Sequence, residues 1–210
     1  MIRVLIVDDH AILRRGLQSL LADEFRESVF GEAADARQAH DQLQSKEWDV
    51  ALLDITLPGK NGLDLLKELR IMCPKLPVLV LSAYAEDQFA VRALKAGAEG
   101  YMTKESAPEE LVKAVRKILA GGRYVSPTLA EKLAFRVGKD STGTPHETLS
   151  DREYEVMCRI AAGKTPSEIA AELSLSAKTV STYRARVLEK LGLKNSAEMI
   201  RYAIRNGLVI

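Results

Sequence analysis

The sequence predicts a doubly wound α/β domain with a five-stranded parallel sheet over residues 1–120, followed by an all-α domain over residues 148–210. Three observations predict it. Near-continuous Val/Ile/Leu runs recur in the first half, which is how strands covered on both faces of a parallel sheet read. Segments with apolar residues at helical spacing separate those runs. Residues 148–210 carry no strand pattern but repeated helix-start signals.

The elements follow in order. Ile2-Arg3-Val4-Leu5-Ile6-Val7 runs into the acidic pair Asp8-Asp9, and Leu13, Leu17, Leu20 and Leu21 make one helical stripe. Val50-Ala51-Leu52-Leu53 runs into Asp54; after Gly62, Leu63, Leu66, Leu69 and Arg70 fall at helical spacing. Val78-Leu79-Val80-Leu81 runs into Ser82, and Val91, Leu94 and Lys95 precede Gly97, a helix C-cap. Gly100-Tyr101-Met102-Thr103 leads to Lys104. Pro108 opens a helix with Leu111, Val115, Ile118 and Leu119, stopped by Gly121-Gly122. In such a sheet, ligands sit beyond the carboxyl ends of the strands. Asp8, Asp9, Asp54, Ser82 and Lys104 all fall there. Carboxylates that close need solvent or a strong counter-charge, because like charges resist joint ionisation. The two readings are an exposed acidic loop and a divalent cation with hard oxygen ligands, of which Mg²⁺ is the type.

Residues 121–147 read as a connection. Ser126-Pro127 can cap a helix carrying Leu129, Leu133 and Phe135, and the stretch from Gly138 to Pro145 has the composition of a mobile linker. Beyond it, Ser150 with Glu153 forms a capping box ahead of a helix that runs to Ala162. Thr165-Pro166-Ser167-Glu168 starts a short second helix. Ser176 caps a longer third that ends at Lys190-Leu191-Gly192, and Ser196 caps a fourth ending near Asn206-Gly207. Ile169, Leu173, Leu175, Val180, Val187 and Leu191 supply a core. A short helix, a tight turn and a longer helix with Thr and Arg on its free face make a helix-turn-helix.

Composition excludes some classes. At 210 residues and 47% hydrophobic content the chain can build two cores. No apolar run approaches the roughly 20 residues that span a bilayer, and Met1-Ile2-Arg3-Val4 reads as a strand and not as a signal peptide. Cys73 and Cys158 lack metal-ligand spacing and read as reduced thiols, so the expected location is the cytoplasm with no membrane partner. The net charge of +1 is unevenly spread, with −3 over residues 1–120 and +3 over 148–210. An acidic half joined to a mildly basic half suggests separate tasks.

Taken together, Asp8-Asp9, the stretch Asp54-Ile55-Thr56-Leu57-Pro58-Gly59-Lys60-Asn61-Gly62, Leu81-Ser82-Ala83 and Tyr101-Met102-Thr103-Lys104 resemble the motifs of a two-component receiver domain, which has a flavodoxin-like fold. The resemblance implies that Asp54 accepts a phosphoryl group from a sensor histidine kinase, a carboxylate acting as nucleophile. It implies Mg²⁺, or Mn²⁺ in its place, on Asp9, Asp54 and the backbone carbonyl of Thr56, with Asp8 acting mainly through a bound water. Lys104 is implied to pair with Asp54 at rest and with phosphate afterwards. Ser82 and Tyr101 are implied to be the read-out: the hydroxyl turns toward phosphate and the ring rotates inward, a local event biasing a bistable element. A near-complete switch needs on the order of 5 kcal/mol, and charge-assisted contacts supply about 1.5–3 kcal/mol each. Tyr84 is expected to border this pocket. It either obstructs the water that hydrolyses the acyl phosphate or is an inert loop tyrosine.

Leu149-Ser150-Asp151-Arg152-Glu153, Ala162-Gly163-Lys164-Thr165, Glu168-Ile169-Ala170, Leu173-Ser174-Leu175-Ser176, Lys178-Thr179-Val180 and Lys190-Leu191-Gly192 resemble the LuxR-type DNA-binding domain of NarL/FixJ-class response regulators. Ser181, Thr182 and Arg184, with Arg186 at the edge, are then implied to enter the major groove, while Lys178, Thr179 and Lys190 hold phosphates. The family often has a basic residue where Ala185 stands, and lysine and histidine where Ser181 and Tyr183 stand. A +3 domain grips DNA weakly alone, so a homodimer on promoter DNA is expected, with RNA polymerase a further partner. Met199, Ile200, Ala203 and Ile204 are either a dimer face or part of their own domain's core. The expected function is phosphorylation-controlled transcription regulation, with no enzymatic activity beyond the receiver's own phosphoryl transfer and loss. The alternatives are an aspartyl-phosphate enzyme, for which 120 residues leave no cap domain, and a module that recruits a protein through its helical half.

Overall fold

The computed structural model describes residues 1–84, 86–137 and 144–208. Its strands are β1 (Ile2–Val7), β2 (Ser28–Ala33), β3 (Val50–Asp54), β4 (Val78–Ser82) and β5 (Gly100–Thr103). Its α-helices are α1 (Ala11–Glu24), α2 (Ala36–Ser45), α3 (Gly62–Met72), α4 (Glu86–Lys95), α5 (Pro108–Leu119) and α6 (Pro127–Val137), then α7 (Asp151–Ala161), α8 (Pro166–Glu172), α9 (Ala177–Leu191) and α10 (Ser196–Arg205). A 3₁₀ turn covers Pro145–Thr148. The chain divides into two compact units, Met1–Glu131 and Lys132–Ile210. The division falls inside α6, within the expected connection 121–147. Of the stretch expected to be mobile, residues 138–145, residues 138–143 lie outside the described residues, and Pro145 opens the 3₁₀ turn.

In the first unit the sheet order is β2-β1-β3-β4-β5, and every neighbouring pair is parallel. Each parallel crossover needs a helix to return the chain, which is why strands and helices alternate here. The three inner strands are largely apolar because helices cover both faces; β3 and β4 are buried at every residue, their terminal Asp54 and Ser82 included. On one side Val4, Ile6, Val50, Leu52, Leu79 and Leu81 pack with Leu17 and Leu21 of α1 and with Leu111, Val115 and Ile118 of α5. The edge strand β2 is only partly buried. Its Gly31 leaves room for the Trp48 ring, since a Cβ there would lie 2.2 Å from the indole.

The buried face of α4 differs from the stripe expected from sequence. Phe89, Ala90 and Ala93 are buried, while Val91 and Leu94 are half-buried. Small residues let this helix lie close to the sheet, and periodicity weighted toward large side chains misses such a face.

In the second unit, α7 packs on α8, α9 and α10. Capping boxes at Ser150/Glu153 and Thr165/Glu168 start α7 and α8, and Ser176 accepts the Thr179 N–H to start α9. The cap of α10 is Asn195, which accepts the Glu198 N–H, and not Ser196. Ile169, Leu173, Val180 and Val187 are fully buried, with Leu175 and Leu191 half-buried. Met199 and Ala203 belong to this same core; Ile200 is half-buried and Ile204 exposed.

Candidate functional site

The carboxyl ends of β1, β3 and β5 bring Asp8, Asp54 and Lys104 together. Lys104 Nζ lies 2.6 Å from Asp54 Oδ2 and 2.7 Å from Asp8 Oδ2. Asp8 and Asp54 are almost wholly buried, and Asp9 is exposed. Backbone bonds fix the loops that carry them. Asp8 N–H donates to Ala33 O at 3.0 Å and Lys104 N–H to Ser82 O at 2.8 Å. Thr56 N–H donates to Asp54 Oδ1 at 3.1 Å. Gly62 N–H donates to Ile55 O at 2.7 Å, and an added Cβ at Gly62 would lie 2.0 Å from the Asp54 carbonyl oxygen. The loop between β3 and α3 therefore lies against the strand end, with buried Asn61 capping α3.

The electrostatics follow from burial. Desolvation raises the Asp54 carboxyl to about 6; the Lys104 ammonium and the Thr56 N–H oppose that rise, and the Asp8 charge adds to it. Burial works against the Lys104 charge, but Asp54 and Asp8 outweigh it and hold the ammonium above its ordinary value. Asp8 Oδ2 has no aligned hydrogen bond, although the ammonium stands at ion-pair distance. One cation thus faces two buried carboxylates. Asp8, Asp9, His10 and Asp54 each direct a donor atom into one space, with all four atoms within 4.8 Å of one another. A buried, poorly compensated oxygen in a set of carboxylate donors fits a divalent cation.

Ser82 and Tyr101 are fully buried beside this cluster. Ser82 Oγ accepts the Tyr84 N–H at 3.0 Å, and the Tyr101 hydroxyl donates to the Tyr84 carbonyl at 2.8 Å. The ring of Tyr101 is therefore in its inward position, and burial pushes its hydroxyl well above the ordinary range. Tyr84 itself is half-buried, with its ring 4.5 Å from that of Phe89.

Two neighbours have no part in the sequence motifs. His10 donates its backbone N–H to Asp8 Oδ1 at 2.8 Å. Arg14 donates to the Asp8 carbonyl at 2.6 Å and to Glu32 at 2.7 Å. Adjacency to Asp8-Asp9 was the available signal for His10; the β1–β2 pairing that brings Glu32 to Arg14 left none.

In the second unit, Leu173–Ser176 form the turn between α8 and α9, with Ser174 in the left-handed region at φ 54°. Lys178, Ser181, Thr182 and Arg186 are exposed on α9, and Thr179 is half-buried with its hydroxyl 2.8 Å from Ser176 Oγ. Two of the basic residues among the expected DNA contacts already have protein partners. Arg184 Nε donates to Ser196 Oγ at 2.9 Å, and Lys190 Nζ lies 2.6 Å from Glu153 Oε2. The Lys190 contact opposes the desolvation of Glu153 and holds that carboxyl below its ordinary value.

Residues 4–116 match the response regulator receiver domain family, and residues 147–203 match the bacterial regulatory proteins of the luxR family. The chain belongs to the response regulators in which a receiver precedes a LuxR-type DNA-binding domain, a class of transcription regulators. It is similar to Response regulator GacA of Pseudomonas protegens, 37% identical over 209 residues that cover 100% of this chain and 98% of that protein. Response regulator UvrY of Escherichia coli is 34% identical over 209 residues, covering 99% and 96%. Among solved structures, RcsB from Salmonella enterica serovar Typhimurium bound to promoter rprA in the presence of phosphomimetic BeF₃⁻ matches with a TM-score of 0.65 at 28% identity, covering 96% of this chain and 98% of that one.

Proposed function

We propose that Asp54 is the phosphoryl acceptor through which a sensor histidine kinase controls promoter binding by α9. One Asp54 oxygen attacks the phosphorus of the phosphohistidine. The new P–O bond gives an acyl phosphate, and the P–N bond breaks with its electron pair returning to the imidazole. The observation that carries the reading is the buried Asp54 between Lys104 and Asp8 at the strand ends. Asp8, Asp9, Asp54 and the Thr56 carbonyl would hold Mg²⁺, or Mn²⁺. When bound, that ion supplies positive charge that offsets repulsion between carboxylate and phosphoryl oxygens.

Lys104 then moves from Asp54 to a phosphate oxygen as a compact point charge on a flexible stem. Ser82 exchanges the Tyr84 N–H for phosphate, and the inward Tyr101 locks the rearranged loop through the Tyr84 carbonyl. The altered surface favours a homodimer, which doubles the phosphate contacts of α9 on promoter DNA and presents RNA polymerase with a fixed partner. Lys178 and Thr179 position the backbone, with Lys190 joining them once released from Glu153. Ser181, Thr182, Arg184 and Arg186 face the bases. Catalysis is confined to the receiver's own phosphoryl transfer and hydrolysis, and the working compartment is the cytoplasm. No helix among the described residues is long and apolar enough to cross a membrane.

The test labels the purified chain with a kinase or with acetyl phosphate and footprints a promoter in parallel. The expected result is label that Asp54→Ala abolishes and promoter occupancy that changes with label. Label that persists in Asp54→Ala, or occupancy indifferent to it, overturns the reading.

A further inference from the structure

We propose that His10 is a nitrogen ligand of the cation site, so that the receiver binds first-row transition ions such as Mn²⁺, Co²⁺ and Ni²⁺ through one more donor than it offers Mg²⁺. This rests on the reading of Asp8, Asp9 and Asp54 as a cation site. His10 Nδ1 stands 2.7 Å from Asp9 Oδ1 and 3.1 Å from Asp8 Oδ1. Neighbouring donors on an octahedral ion with bonds of about 2.1 Å lie roughly 3 Å apart. The imidazole nitrogen and the two carboxylate oxygens already have that spacing. The fully buried Asp8 Oδ2, without an aligned hydrogen bond, lies on the same carboxylate.

The backbone holds the ring in this sector. His10 N–H is bonded to Asp8 Oδ1, and His10 O accepts the Arg14 N–H at 3.1 Å as α1 begins. Arg14 in turn grips the Asp8 carbonyl and is anchored by Glu32. The turn bearing Asp8, Asp9 and His10 is thus fixed from both ends. The ring remains 65% exposed, so it can move to meet an ion without repacking a core.

Donor chemistry then sets the preference. Carboxylates and water suit Mg²⁺, which loses its hydration reluctantly and prefers oxygen. Imidazole suits the later transition ions, whose affinity for nitrogen-containing sites rises along the row. His10 therefore adds affinity for Mn²⁺, Co²⁺ and Ni²⁺ while leaving Mg²⁺ on oxygen alone.

The experiment uses the full chain and titrates Mg²⁺, Co²⁺ and Ni²⁺ separately at one fixed pH, with His10→Asn and Asp9→Asn beside the parent. Electron spin-echo spectra of the Mn²⁺ complex are recorded with ¹⁵N-labelled histidine. His10→Asn is expected to weaken Co²⁺ and Ni²⁺ by at least about tenfold, the loss that removing even a ligand's hydrogen-bond partner causes, and Mg²⁺ by less than twofold. The ¹⁵N coupling seen in the parent should vanish in the variant. Equal losses for all ions, or no histidine coupling to Mn²⁺, overturn the assignment. If Asp9→Asn also binds every ion as the parent does, the cation-site reading itself fails; if only His10→Asn does, the failure is confined to His10.

Discussion

Asp54 is expected to destabilise the fold it sits in. Its carboxyl titrates at about 6 when folded, against an ordinary 3.8, with desolvation the leading cause. Between those values the folded chain holds a proton that the unfolded chain has lost. Its contribution is therefore most favourable below pH 4 and declines as pH rises through 6, by about 1.36 kcal/mol for each pH unit separating the two values. Asp54→Asn should accordingly raise stability at pH 7.5 by up to about 3 kcal/mol in chelator-treated buffer, with the gain gone at pH 4. Urea unfolding at the two pH values reads this directly. Tyr84 supplies a second residue-scale expectation. Its backbone serves both Ser82 and Tyr101, while its ring leans on Phe89. Tyr84→Ala should hasten loss of phosphate from the labelled chain; an unchanged half-life would leave the ring a packing element only. At this scale the cluster was legible, because Asp8, Asp54 and Lys104 each terminate an apolar run. Arg14 was not, since its contacts depend on which strand lies beside the first turn, and His10 carried only its adjacency to Asp8-Asp9 as a signal.

At the scale of elements, close approaches decide what can change. Gly62→Ala would drive a methyl group into the Asp54 carbonyl and Ile55 Cα. We expect a loss of about 1–3 kcal/mol, typical of overpacking, together with slower labelling of Asp54, because the loop can yield only by shifting the strand end. Pulse labelling and melting of the same sample separate the two effects. Ser150→Ala removes a cap whose partner Glu153 also holds Lys190. The cost should be about 1 kcal/mol, seen as faster amide exchange across residues 151–161. The inner strands, the capped helices and the stop before Lys104 could be read from sequence because each repeats one strong signal. The edge strand β2 could not. With one side and one edge partly open, Ser28–Ala33 needs no continuous apolar run and shows none. The polar helix α2 beside it has one buried residue, Ala39, and leaves as little trace.

For the whole molecule, binding to DNA should separate lysines by what they already hold. Lys178 is exposed on α9, so Lys178→Ala should lower the slope of log affinity against log salt by about one per bound copy. Lys190 is engaged with Glu153, and Lys190→Ala should change that slope less while lowering the stability of the second unit. Anisotropy titrations across a salt series, paired with thermal melts, distinguish the cases. The charge division of −3 and +3 anticipated which half meets phosphates. It could not anticipate that Arg184 and Lys190 have partners at home, because those contacts depend on how α9 packs against α10 and α7.

The indole fitted against Gly31 has a practical corollary. Trp48 is the chain's one tryptophan; it is almost fully enclosed, donates its N–H to Gln42 O, and precedes the end of β3 opposite Asp54. Emission excited at the red edge is accordingly a private optical reporter of the first unit. A fluorescence melt therefore follows the unfolding of the first unit.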